Sequence, residues 1–137
     1  MALNARVAAQ LKSLADAGDM MAKALVQGVM DCKLTAAAEN TGANTILVSG
    51  QLVDGVGNPV AGVKNVLVKS VPVSGAGTMT DGGAGAVVAG SASTEVWMTT
   101  DATGKFEVTV LNAAAEQNLL QVTMDNGDVA FIVLTFA

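Results

Sequence analysis

Two stretches that each read as strand, turn, strand constrain this chain more than anything else in it. The first is Val48-Ser49-Gly50-Gln51-Leu52-Val53-Asp54-Gly55-Val56-Gly57-Asn58-Pro59-Val60-Ala61-Gly62-Val63; the second is Thr100-Asp101-Ala102-Thr103-Gly104-Lys105-Phe106-Glu107-Val108-Thr109-Val110. In the first, Val48, Gly50 and Leu52 alternate with Ser49, Gln51 and Val53, the period of a strand buried on one face. Asp54 through Gly62 then supply turn chemistry, with Pro59 fixing φ and removing a ladder donor. In the second, Asp101 to Gly104 make a short turn before Phe106, Val108 and Val110, which share a face opposite Glu107 and Thr109. Two half-buried hairpins of this kind predict a β-sandwich.

The pairing resembles the bacterial immunoglobulin-like domains of the invasin and intimin type. The likeness is carried by Gly57-Asn58-Pro59-Val60-x-Gly62-Val63 and Thr100-Asp101-x-x-Gly104-x-Phe106, and it covers residues 45–137. It implies a spacer, adhesion or display sandwich with no catalytic residue to carry over. The pattern departs from the family's in the Gly/Ala-rich stretch 75–90 and in the additional N-terminal region.

The expected core is thin. Hydrophobic residues make up 51% of the chain and aromatic ones 3%, so Ala, Gly and Val fill most of the inside. Small side chains bury less apolar area, at ~25 cal/mol per Å2, so assembly with a partner is expected to add stability.

Charge and residue types exclude several functions. Residues 1–30 carry Arg6, Lys12 and Lys23 against Asp16 and Asp19, a net of +1, whereas 45–137 carry three lysines against eight acids, a net of −5. An acidic sandwich lacks the Lys/Arg patch that nucleic acid or an anionic membrane needs. Cys32 is the one cysteine and there is no histidine, which leaves no disulfide and no metal-ligand spacing. Asp54, Asp101, Asp125 and Asp128 sit in turns without the alternating spacing of a calcium loop. Without His or Tyr there is no general base near neutral pH and no activated nucleophile. The expectation is no enzyme, no cofactor and no metal.

Along the chain, Leu3, Val7, Leu11 and Leu14 recur at helical spacing, and Met21, Leu25 and Val29 continue it after Ala17-Gly18-Asp19. The stripe predicts an amphipathic segment over 1–30, either packed on its own domain or serving as an assembly interface. Residues 31–44 read as a connector, with a candidate edge strand from Cys32 to Thr35, and 45–137 as the sandwich. Thr45–Val53 and Val63–Val73 are predicted strands, with Pro72 placing the end of the latter at an edge. Residues 75–90 read as a protruding hairpin turned at Asp81-Gly82-Gly83, or as a loop that orders on a neighbour. Trp97 is expected to fill the core or pack on a sheet face. A last hairpin turns at Asn126-Gly127, and its apolar final strand, Val129–Phe136, is expected to be paired centrally or covered by a partner.

The predicted fold is thus mainly β, an immunoglobulin-like β-sandwich preceded by an α-helical segment. No apolar run reaches the ~18 residues of a bilayer span. Lys12, Ser13 and Asp16 interrupt any signal-peptide core. An adhesion-type domain without an export signal is expected in a virion, assembled in the host cytoplasm. There it would be a homo-oligomeric bacteriophage capsid decoration or head-fibre subunit that docks on the major capsid protein or other virion subunits. The alternative is a tail or cell-surface adhesion module for a glycan or receptor.

Overall fold

The computed structural model describes residues 5–16 and 30–137. Helix α1 spans Ala5–Asp16. Among the described residues nine strands follow: β1 Met30–Ala36, β2 Thr45–Asp54, β3 Asn65–Pro72, β4 Thr78–Asp81, β5 Ala86–Ala89, β6 Glu95–Thr99, β7 Lys105–Leu111, β8 Gln117–Met124 and β9 Val129–Thr135. They build a four-stranded sheet, β1-β2-β7-β4, and a five-stranded sheet, β5-β6-β3-β8-β9. Every pairing is antiparallel.

Alternation decides which side chains lie between the sheets. Ile46, Val48 and Leu52 on β2 and Phe106, Val108 and Val110 on β7 are buried, and they face Val66, Val68, Leu120 and Val122 of the other sheet. Valine dominates this core, with Phe106 as its central aromatic ring. The Cys32 thiol is buried in it, and desolvation, with the neighbouring Asp31 charge, pushes it up to about 12. It stays a thiol at neutral pH.

The two signature turns are not hairpins. β2 and β3 lie in different sheets, and so do β6 and β7, so each turn arches from one sheet to the other. Local turn chemistry is the same for an arch and a hairpin, which is why the sequence reading placed both strands of each pair together. The arches are joined to one another at one end of the sandwich. Leu52 N donates to Gly104 O (2.9 Å), Gly62 N to Ala102 O (2.9 Å) and Thr100 N to Lys64 O (2.8 Å). Lys64 N donates to Thr100 Oγ1 (2.9 Å), and Gln51 Nε2 to Thr103 O (2.8 Å). Asp101 Oδ1 accepts from Thr103 Oγ1 (2.6 Å), Thr103 N (2.9 Å) and Lys105 N (3.0 Å). These bonds, the Thr103 hydroxyl first, hold the Asp101 carboxyl below the usual range.

Further expectations need correcting. The edge strand expected at Cys32–Thr35 is there as β1, at the edge of the four-stranded sheet, but it is longer and pairs with β2 from Met30 to Ala36. The sandwich therefore begins at Met30, and 37–44 is its first loop. Pro72 ends a central strand: Ser70 N donates to Thr94 O, and two residues on the proline nitrogen points the same way, past the end of β6. The segment 75–90 is neither a protruding hairpin nor a loose loop. β4 pairs with β7 and β5 with β6, so it passes from the edge of one sheet to the edge of the other. Gly82 N donates to Glu107 O (3.0 Å) and Glu107 N to Ala84 O (2.9 Å), which tie the crossing to β7.

The far end is closed by Glu116. Its carboxylate accepts from Ser74 N (2.9 Å), Ser74 Oγ (2.8 Å), Gly75 N (2.8 Å) and Asn112 Nδ2 (2.8 Å). These bonds, led by Asn112, lower its carboxyl from the ordinary 4.5 to about 2. A carboxyl whose folded pKa is depressed contributes stability that is complete above its unfolded value and lost as pH falls towards the folded one. Urea midpoints are therefore expected to fall between pH 4.5 and about 2 more steeply for the native chain than for Glu116→Gln. Identical acid limbs would show that the cradle contributes nothing.

Candidate functional site

The inward residues of each strand leave their alternates outside, and the two outer faces differ. On the four-stranded sheet the outward positions are mostly polar, including Lys33, Ser49, Gln51, Glu107 and Thr109. Glu107 accepts from Ser49 Oγ (3.3 Å) and pairs with Lys105 Nζ (3.1 Å).

The outer face of the five-stranded sheet is apolar. Val96 and Met98 point inward on β6, so Trp97 between them points out and is 50% exposed. On β9, Leu134 points inward, so Val129, Phe131 and Val133 point out, Phe131 at 59% and Val133 at 55% exposed. Register then assembles the surface. One row runs Trp97, Leu67, Thr123, Val129; the next Glu95, Lys69, Gln121, Phe131; the third Val71, Leu119, Val133. Glu95 and Lys69 are register partners of opposite charge, so the face has no net charge. Of four aromatic residues, Phe106 and Phe136 are spent in the core and Trp97 and Phe131 lie on this face. Exposed aromatics on a neutral apolar sheet face are the composition of a protein contact.

Of the two places expected for Trp97, the structure takes the sheet face and not the core. One expectation is corrected: β9 is not central; it is the last strand of its sheet, with its outer side chains exposed. Of the seven N-terminal residues expected to form an assembly interface, Val7, Leu11 and Leu14 fall on α1, and Val7 is 45% exposed. Leu3, Met21, Leu25 and Val29 lie outside the described residues. The sequence reading missed Phe131 and Val133 as site residues. Their signal was the unbroken apolar run of β9 in a chain whose other long strands alternate.

Nothing else among the described residues gathers chemistry. No group of three or more Cys, Asp or Glu could hold a metal ion there, and no helix there is long and apolar enough to cross a membrane. A depression beside the first arch is lined by Asp54, Pro59, Val60, Ala61 and Lys64. Asp54 Oδ1 is already engaged there, accepting from Val56 N and Asn58 N, both at 3.0 Å.

No protein-family model and no curated protein matches the sequence. Solved structures do match in fold. The adhesin InvE of Yersinia pseudotuberculosis superposes with a TM-score of 0.54 at 18% identity, over 79% of this chain and 32% of that one. The D00-D0 domain of intimin gives 0.51 at 19% identity, over 82% of this chain and 49% of that one. A β-glucuronidase of Parabacteroides merdae gives 0.51 at 16% identity, over 76% of this chain and 12% of that one. The chain therefore spans a minority of each of these proteins. The two-sheet antiparallel sandwich is a fold shared with segments of InvE, intimin and the β-glucuronidase, and at these identities the likeness concerns the fold alone.

Proposed function

We propose that this chain is a non-enzymatic adhesion-type module that attaches and displays by presenting the outer face of its five-stranded sheet to another protein. The observation that carries the reading is the exposed pair Trp97 and Phe131 on a neutral apolar sheet face, opposite a polar one. The fold shared with an adhesin supports it. So does the residue inventory, which holds no histidine or tyrosine and keeps its one cysteine as a buried thiol.

The carrier of the module is a cell surface or a virion. α1, placed ahead of the sandwich, favours the second reading, in which the N-terminal segment docks on a bacteriophage shell and the acidic sandwich projects from it. Here it would act as a decoration or head-fibre subunit, binding only the assembled shell and stabilising it by mass action.

The test uses the labelled full chain on intact bacterial cells, on purified phage particles and on a glycan array. Retention on cells or particles that Phe131→Glu abolishes is the expected result. Array hits lost in Trp97→Ala would replace the protein partner with a glycan. Retention untouched by either change would move the site off this face, and measurable turnover by the purified chain would overturn the non-enzymatic reading.

A further inference from the structure

We infer that the free edge of β9 pairs with the β9 of a second copy of this chain, joining two five-stranded sheets into one. Hydrogen-bond parity defines the edge. Met124 N donates to Asp128 O (2.8 Å) and Phe136 N to Glu116 O (2.9 Å), so the alternate residues between, Ala130, Ile132 and Leu134, turn their N–H and C=O groups towards β8. Val129, Phe131, Val133 and Thr135 turn theirs away. β9 is the last strand of its sheet, and no other strand among the described residues takes those groups.

The other sheet edges are blunted, and this one is not. β4 and β5 have four residues each, and β5 slips its register between Val87 and Ala89. β1 carries Asp31 and Lys33. β9 runs for seven residues, Val129 to Thr135, with no charge, proline or glycine and no break in register. An edge of this length and character is a template for another strand.

Self-complementarity names the occupant. Two β9 strands running antiparallel about a two-fold axis at Ile132 set Phe131 beside the partner's Val133, and Val129 beside the partner's Thr135. Each such pair exchanges two backbone bonds, so every outward N–H and C=O of both strands is used and no charged side chain of β9 has to be desolvated. This axis stands perpendicular to the sheet. The outer faces of the two copies therefore lie on the same side with Trp97 and Phe131 still open, and the attachment face is doubled rather than covered. The contact itself is small. Seven residues at ~3.4 Å make an edge of ~24 Å, and a sheet ~10 Å thick then buries roughly 500 Å2 in the pair, against ~1,200 Å2 for stable interfaces. The dimer is thus a weak one that forms where the chain is concentrated. Salt should strengthen it, because each sandwich carries −5 over 45–137.

The experiment follows the full chain over a concentration series by light scattering, by amide hydrogen exchange and by the emission of Trp97, the only tryptophan. The mass is expected to rise to twice that of the chain and stop there, at lower concentration in high salt. Exchange at Val129, Phe131, Val133 and Thr135 is expected to slow about tenfold once nine chains in ten are paired, since the unpaired tenth alone exchanges. Ala130, Ile132 and Leu134 should be protected throughout, and Trp97 emission should stay constant. Val133→Pro removes an outward N–H and no bond to β8, so it should leave a folded monomer. If that variant fails to fold, the exchange pattern of the native chain still decides. A monomer at every concentration would overturn the inference, as would a dimer whose four edge amides exchange freely or one that survives in folded Val133→Pro. Emission that shifts as the dimer forms would move the contact to the outer face, and growth beyond twice the mass would overturn the closed pair. Retention of a monomer on cells or particles would leave the docking reading standing without this one.

Discussion

Replacing Gly104 by alanine is expected to cost about 3 kcal/mol of stability, part from the left-handed backbone and part from the displaced neighbour. Gly104 has φ +79, and a Cβ there would lie 2.1 Å from the carbonyl oxygen of Val60, in the other arch. That oxygen belongs to backbone already committed, since Val60 N donates to Leu52 O at 2.9 Å. The two arches would have to part, and the bond from Leu52 N to Gly104 O would go with them. Gly127 is the control. It also has a positive φ, +88, but a Cβ there meets nothing within 4 Å. Gly127→Ala should therefore show only the backbone cost, about 1 kcal/mol. Urea unfolding of both variants measures the difference, and equal losses would mean that the arches do not brace each other.

Phe106→Ala is the second large effect, expected at about 3–5 kcal/mol because the ring is fully buried and a valine-rich core cannot collapse around the space it leaves. Its cross-strand partner is Gly50, where a Cβ would lie 2.2 Å from the ring. Gly50→Ala should thus destabilise the native chain by about 1–3 kcal/mol. In the Phe106→Ala background the same change fills space and should cost almost nothing. This coupling is read from a double-mutant cycle of urea midpoints. Simple additivity would contradict the account of why glycine stands at 50.

The strands were legible wherever polar and apolar residues alternate. β2, β3 and β7 show that period, and the burial of Val48, Val66 and Phe106 follows it. Partnership was not legible. Asp54 to Gly62 and Asp101 to Gly104 hold turn residues that serve a hairpin and an arch equally, and only long-range bonds such as Thr100 N to Lys64 O distinguish them. β1 was half seen: Cys32 to Thr35 read as a candidate edge strand, but Met30 was assigned to the helical segment and Asp31 and Ala36 to the connector. The candidate site was hidden by apolar runs. Val96-Trp97-Met98 and Val129 to Leu134 give no clue to which members face out, and only burial of the neighbours decides it for Trp97 and Phe131. A sandwich already closed by two inward faces has no use for a third apolar layer, and that surplus is what points to a partner.

The central claim is that this layer is where the protein binds. Hydroxyl-radical footprinting of the full chain, compared between free protein and protein retained on cells or particles, tests it most directly. The account predicts that Trp97, Phe131 and Val133 become protected together, while Leu47 and Leu111 on the opposite sheet are oxidised equally in every state. Unchanged oxidation of Trp97 and Phe131, or protection confined to the opposite sheet, would contradict it.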